Sequence, residues 1–279
     1  MAFSDQVKKQ IEQMIWERKN TRATMRAPVI RMRADLQHSQ AAIDWTLGQL
    51  AGFEERLNAW IDENVEAIVI AAPEPYTCKG TKVVERAPFP LAFSVEAGAY
   101  VNTLRSSLDI LAMALAERKA PVSPKNERSI YFPMADEPRE AFEDRIDGID
   151  WFAERDKDII KAVQPYPEGN ARLYHLHRLD IVRKHRRLLK VGWDLASSGL
   201  SWSGGGGFTI GSLPPPPPEW KDDPTIIDWI NTIDGDVETL ASFWAVISEP
   251  GPFVRKTVIE VLRELAGVVE EIVARFDYE

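Results

Sequence analysis

The chain has 279 residues, 44% of them hydrophobic and 28% charged, and carries a formal net charge of -9. That length can bury a full core in one large domain or two modest ones, and the composition is ordinary for a globular protein. A single cysteine, Cys78, excludes an internal disulfide and a cysteine-rich zinc module.

The first twenty residues, MAFSDQVKKQIEQMIWERKN, are charged throughout and hold no apolar run of signal-peptide length. No stretch has the uninterrupted apolar length of a bilayer span, so a cytoplasmic protein with no membrane partner is expected. A short helix is expected from Asp5 to Lys19. The first long helix runs from about Asp35, placed as an N-cap, to Ile61, with Leu36, Ile43, Leu47, Leu50, Leu57 and Ile61 on one face. Next, AIVIAA (67–72) and TKVVE (81–85) flank the turn-rich PEPYTCKG and read as a β-hairpin. The second long helix starts near Ser94, with Glu96 in its first turn, and continues to Lys119. Its apolar face is Tyr100, Leu104, Leu108, Leu111 and Leu115. A shorter helix is expected from Ile149 to Val163.

A third long helix covers about 170–190. Ten of the fifteen residues from Gly204 to Pro218 are Gly or Pro, which makes this stretch a loop, with Pro214 to Pro218 as a polyproline II spacer. Thr225 to Ile230 and Thr239 to Ser248 resemble two strands joined around Asp234–Gly235. The fourth long helix, about 252–276, is apolar at Val254, Val258, Val261, Leu262, Leu265, Val268, Val269, Ile272 and Val273. The expected fold is α+β, mainly α. It is a four-long-helix bundle with extra short helices and antiparallel β-hairpins inserted near 67–85 and 225–248, all in one domain, 1–279.

The third helix is the most informative segment. RLYHLHRLDIVRKHRRLLK, residues 172–190, holds seven Lys/Arg, three of the four histidines and one acid, Asp180, in a protein of opposite overall charge. Arg178 and His185 are seven residues apart and fall within about 20° of each other on a helix. Tyr174, Ile181, Val182, Leu188 and Leu189 share that face, while Arg183, Arg186 and Arg187 point elsewhere. An arginine and a histidine within an apolar stripe are costly unless partnered or used. His175 and His177, two residues apart, lie on different helix faces, so no metal or other cofactor is expected.

Arg178-x6-His185 resembles the signature of the HEPN superfamily of helical-bundle proteins, whose active members are ribonucleases. Arg172-x4-His177 has the same bare pattern, but its residues are about 140° apart and cannot readily converge. Arg105-Ser106-Ser107-Leu108-Asp109, Phe132-Pro133-Met134, Gln164-Pro165-Tyr166 and Lys184-His185-Arg186 resemble segments of uncharacterised bacterial proteins associated with that superfamily. The resemblance implies a metal-independent endoribonuclease, serving as a toxin or in phage defence. It also implies a homodimer in which two protomers bring their motifs together.

RNA cleavage without a metal uses the 2′-hydroxyl as nucleophile and needs a proton-transfer group and a cation for the phosphate. His185 supplies the first and Arg178 the second, with Asp109, Arg105 and Tyr174 in support. Arg183, Lys184, Arg186 and Arg187 would guide the RNA backbone. In the alternative, the chain is a catalytically inactive helical module that binds a protein or nucleic-acid partner through the basic helix and the proline-rich loop. Arg105 and Asp109, four residues apart, then form an internal ion pair, and the outer cations pair with acids such as Glu140, Glu143 and Asp144. GGGG at 204–207 lacks the Lys-Ser/Thr of a phosphate-binding loop. The tryptophans, Trp151 among them, are expected as core and loop anchors.

Overall fold

The computed structural model describes residues 32–74, 76, 78–203, 217–231, 236–253 and 255–278. The expected helix at 5–19, most of the Gly/Pro loop and the Asp234–Gly235 turn lie outside the described residues. In chain order the elements are a 3-10 turn Ala34–Leu36, α1 (Gln37–Asn64), β1 (Val65–Ala71), β2 (Cys78–Glu85), α2 (Leu91–Lys119) and the single-turn α3 (Pro124–Glu127). They continue with α4 (Arg139–Asp147), α5 (Glu154–Val163), α6 (Ala171–His185), β3 (Val191–Ser203), the single-turn α7 (Pro218–Lys221), β4 (Ile226–Asn231), β5 (Asp236–Ile247) and α8 (Val258–Ala274). The protein is mixed α+β and mainly helical, with small sheets. Among the described residues no helix is long and apolar enough to cross a membrane.

The described residues gather into two compact units, one holding 58–88 and 193–244, the other holding 32–57, 89–192 and 245–278. In the first, β1 and β2 pair antiparallel with Val65 opposite Glu85 and Ala71 opposite Lys79, which is the expected hairpin. β4 adds antiparallel to the other edge of β2, giving the order β1-β2-β4. β5 pairs with β3 in a separate two-stranded sheet. The strands expected to form one hairpin at 225–248 therefore belong to different sheets. A turn signal marks two extended segments, but the free edges available to them decide the partners. At Gly80 the trade is visible: a Cβ would lie 2.6 Å from the Trp220 ring, so glycine lets the buried indole of α7 rest on β2.

The second unit is organised by its helices. Leu36, Ile43, Leu50 and Leu57 of the first helical segment are buried, as are Tyr100, Leu104, Leu108, Leu111 and Leu115 of α2 and Leu262, Leu265 and Val269 of α8. The 3.6-residue period of these positions is what makes each helix amphipathic, and their burial is its energetic return. α2, α6 and α8 pack on one another. The part of α1 in this unit meets α2 through Phe53 on Tyr100, with ring centroids 5.4 Å apart, and through the Ser39 hydroxyl, which donates to the Ser107 carbonyl at 3.0 Å.

Several helix ends differ from the sequence expectation; the helix expected from Ile149, for one, starts at Glu154. Asp35 does not cap α1, because its carboxylate accepts from Arg33 Nε and Arg118 Nε. α8 begins at Thr257 rather than near Pro252. The Thr257 hydroxyl accepts the Glu260 N–H, and the Glu260 carboxylate accepts the Thr257 N–H, a closed capping box. α6 ends at His185, not Lys190, and Val191 already starts β3.

Candidate functional site

α6 enters from a tight turn. Gln164 adopts φ 55°, Asn170 N–H donates back to the Gln164 carbonyl, and the Asn170 side chain caps the helix by accepting Leu173 N–H at 3.1 Å. Gly169 is required there: a Cβ would stand 2.4 Å from the Gln164 carbonyl oxygen. Ala135 N–H donates to the Pro165 carbonyl, joining this turn to the segment that contains Phe132-Pro133-Met134.

The buried residues of α6 are Leu173, His175, Leu176, Leu179 and Asp180. This corrects the expected inward face. With the helix ending at His185, Leu188 and Leu189 no longer extend the stripe through Arg178, and the leucines at 173, 176 and 179 govern which side is buried. Arg178 is 37% exposed at its side chain and pairs with Asp136 Oδ2 at 3.6 Å, while the Tyr174 hydroxyl donates to Asp136 Oδ1 at 2.7 Å. His185 is exposed at the helix end.

A cleft of about 420 Å³ opens beside α6, within the second unit. His177, Asp180, Ile181, Lys184 and His185 form its helical wall. Arg105 and Asp109 of α2 line it too, joined as the sequence spacing suggests: Arg105 Nη1 donates to Asp109 Oδ1 at 2.6 Å. The same oxygen accepts Phe132 N–H at 3.0 Å, and Arg105 Nη2 donates to the Phe132 carbonyl at 3.2 Å. This closed network satisfies an arginine that is only 6% exposed and fixes the Phe132 segment to α2.

Of the expected site residues, His185, Lys184, Arg105 and Asp109 line the cleft; Arg178, Tyr174, Arg183, Arg186 and Arg187 are not in its lining. Lys184 is held by buried Asp180 at 2.7 Å, and Asp180 also accepts from Asn102 at 3.1 Å. The stem of Arg183 lies over Gly98, where a Cβ would sit 3.0 Å from its Cδ. Arg187 grips Glu249 with two hydrogen bonds of 2.5 and 2.8 Å. The anions facing these cations are thus Asp136, Asp180 and Glu249, not the acids of α4 named from the sequence.

Sequence reasoning missed His177, Tyr131, Arg145 and the place of Trp151 in this lining. The angular argument that separates Arg172 from His177 holds for that pair, but His177 and Ile181 fall on the same ridge as Lys184. That spacing was the available signal. Among the described residues no group of three or more His, Cys, Asp or Glu side chains is placed to hold a metal ion.

Burial pushes the His175 and His177 imidazoles below the ordinary value of 6.5, and for His177 the Arg105 charge adds to the shift. Around His177, Asp136 and Asp180 oppose it without overcoming it. Both rings are therefore neutral in the folded state near neutral pH, while the unfolded chain takes up protons as pH falls through about 6.5. Stability is complete above that value and is lost as pH falls toward the lowered folded-state values. The urea midpoint is expected to drop between pH 7.5 and 5.5, and a His175→Gln/His177→Gln double variant should show a smaller drop over the same interval.

Comparison with known protein families, with curated proteins and with solved structures finds no match to this chain.

Proposed function

We propose that the chain is a metal-independent, RNA-cleaving protein of HEPN type, its four long helices forming that superfamily's bundle and the cleft beside α6 its reaction site. One observation carries this reading. Arg105–Asp109, Phe132–Met134 and Lys184–His185, three of the segments that resemble the superfamily's bacterial relatives, border a single open cleft although they are scattered along the chain. In this reading His185, exposed and at the rim, moves the proton between the 2′-hydroxyl and the leaving oxygen. Lys184 and the neighbouring arginines offer cations to the phosphate. Arg178, outside the lining of its own cleft, serves the His185 of a second copy, which makes the working form a homodimer. A cytoplasmic toxin or defence protein, held in check by a regulatory protein partner, is the role such an enzyme fits.

Single-stranded RNA incubated with the purified protein in excess chelator is the test, with the ends of the products analysed. Expected are fragments ending in 2′,3′-cyclic phosphate, formed as well with chelator as without. RNA left intact, or cut only when divalent metal is restored, overturns the proposal. A second reading, a binding module without turnover, is favoured by the Arg178–Asp136 pair, since a guanidinium already facing a carboxylate is less open to a phosphate. It predicts a salt-sensitive RNA complex with no products.

A further inference from the structure

The cleft has two chemical characters. Lys184 and the exposed His185 stand at one end, whereas Phe132, Pro133, Ile149, Trp151 and Ile181 supply apolar and aromatic wall. Tyr131 belongs to the same lining and is 57% exposed. An exposed aromatic side chain alone signifies little, but this one borders a concave apolar surface beside a basic helix end.

The cations that line the cleft already have ion-pair partners. Arg105 is paired with Asp109, Arg145 with Glu137 at 2.6 Å and Lys184 with Asp180. These pairings leave little charge for a phosphate to sit deep inside the cleft; the exposed His185 imidazole lies at the rim. A flat ring, tethered to a phosphate that stays outside, matches these features.

We infer that the cleft is a base subsite: it takes one unstacked base of a single-stranded RNA, with Tyr131 as the stacking platform and the adjoining phosphate at the rim beside His185. The inference rests on the proposed RNA-directed function and adds to it a base-binding role for the cleft and for Tyr131. A duplex keeps its bases stacked and paired, so it cannot present one to the cleft, whereas single strands can. The volume of about 420 Å³ lies in the range of sites that hold a small organic group.

The test is equilibrium binding of a short fluorescent oligoribonucleotide, alone and annealed to its complement, to the full chain carrying His185→Ala so that the RNA stays whole. The single strand should bind and the duplex bind much more weakly. Adding Tyr131→Ala should weaken single-strand binding by about 5- to 150-fold, the range that loss of one base–aromatic stack produces. Tyr131→Phe should restore it, since the ring and not the hydroxyl does the stacking. Equal affinity for the duplex, no effect of Tyr131→Ala, or no binding of the single strand overturns the inference. Turnover is measured separately on the chain with His185 intact. Tyr131-dependent binding without turnover removes only the nuclease, and turnover indifferent to Tyr131 removes only the base subsite.

Discussion

Replacing Asp109 with alanine should lower the unfolding free energy by about 3 kcal/mol, read from urea denaturation at neutral pH. The carboxylate has two tasks. It neutralises Arg105, whose side chain is 7% exposed, and it accepts the Phe132 N–H. Removing it leaves a buried guanidinium with the Phe132 carbonyl as its remaining partner among the described residues, and leaves the Phe132 amide without its acceptor. The figure sits at the low end for a broken buried pair because Asp109 is itself 27% exposed, so water can replace part of what is lost. Asp109→Asn separates the tasks. Its amide oxygen can still accept from Phe132, so its cost should fall to about half, leaving the loss of charge. Equal costs for the two variants would show that charge, not the amide contact, carries the effect. No cost for either would remove the network from any role in holding the cleft.

His185→Ala should slow chelator-insensitive RNA cleavage by about 10²–10⁴-fold, the usual weight of one general acid–base group, with the fold unchanged. The side chain is exposed at the end of α6, so its loss opens no cavity. Single-turnover rates with enzyme in excess isolate the chemical step from product release. Arg178→Ala should slow the reaction too, and the two variants together give the decisive measurement. If each reaction site draws Arg178 from one copy and His185 from the other, mixing the two inactive variants creates heterodimers with one intact site and restores part of the activity. No recovery in a mixture shown to exchange subunits would place both residues in one copy or neither in the chemistry.

The helices were legible in the sequence because burial leaves a period. Leu36, Ile43, Leu50 and Leu57 are sealed in the core as their spacing demands, and so is the Tyr100–Leu115 face of α2. The hairpin of β1 and β2 was equally legible, since two β-rich runs meet across a short turn. Partner choice was less so. Nothing within 225–248 says that β4 will join β2 while β5 joins β3, because that depends on edges supplied by remote residues.

At the site, the Arg105–Asp109 pair followed from its spacing of four, and it formed. The orientation of α6 did not follow. Its apolar residues are spread around the helix, so a change in where it ends moves the apparent face: counting Leu188 and Leu189 turns Arg178 inward, and ending at His185 turns Leu173, Leu176 and Leu179 inward instead. His177, Tyr131 and Trp151 meet only through folding, and no local spacing joins residues 131, 151 and 177.

Just past α6, Arg187 closes on both oxygens of Glu249, and Glu249 Oε1 also receives the Lys190 N–H. The main chain is thereby pinned two residues after His185, on the side where a helix end would otherwise fray. The exposed His185 imidazole stands two residues before this tie. Such an arrangement lets a side chain follow a moving proton without the scaffold drifting. It also makes Glu249, whose side chain is only 4% exposed, an anchor for the chain just beyond the helix tip.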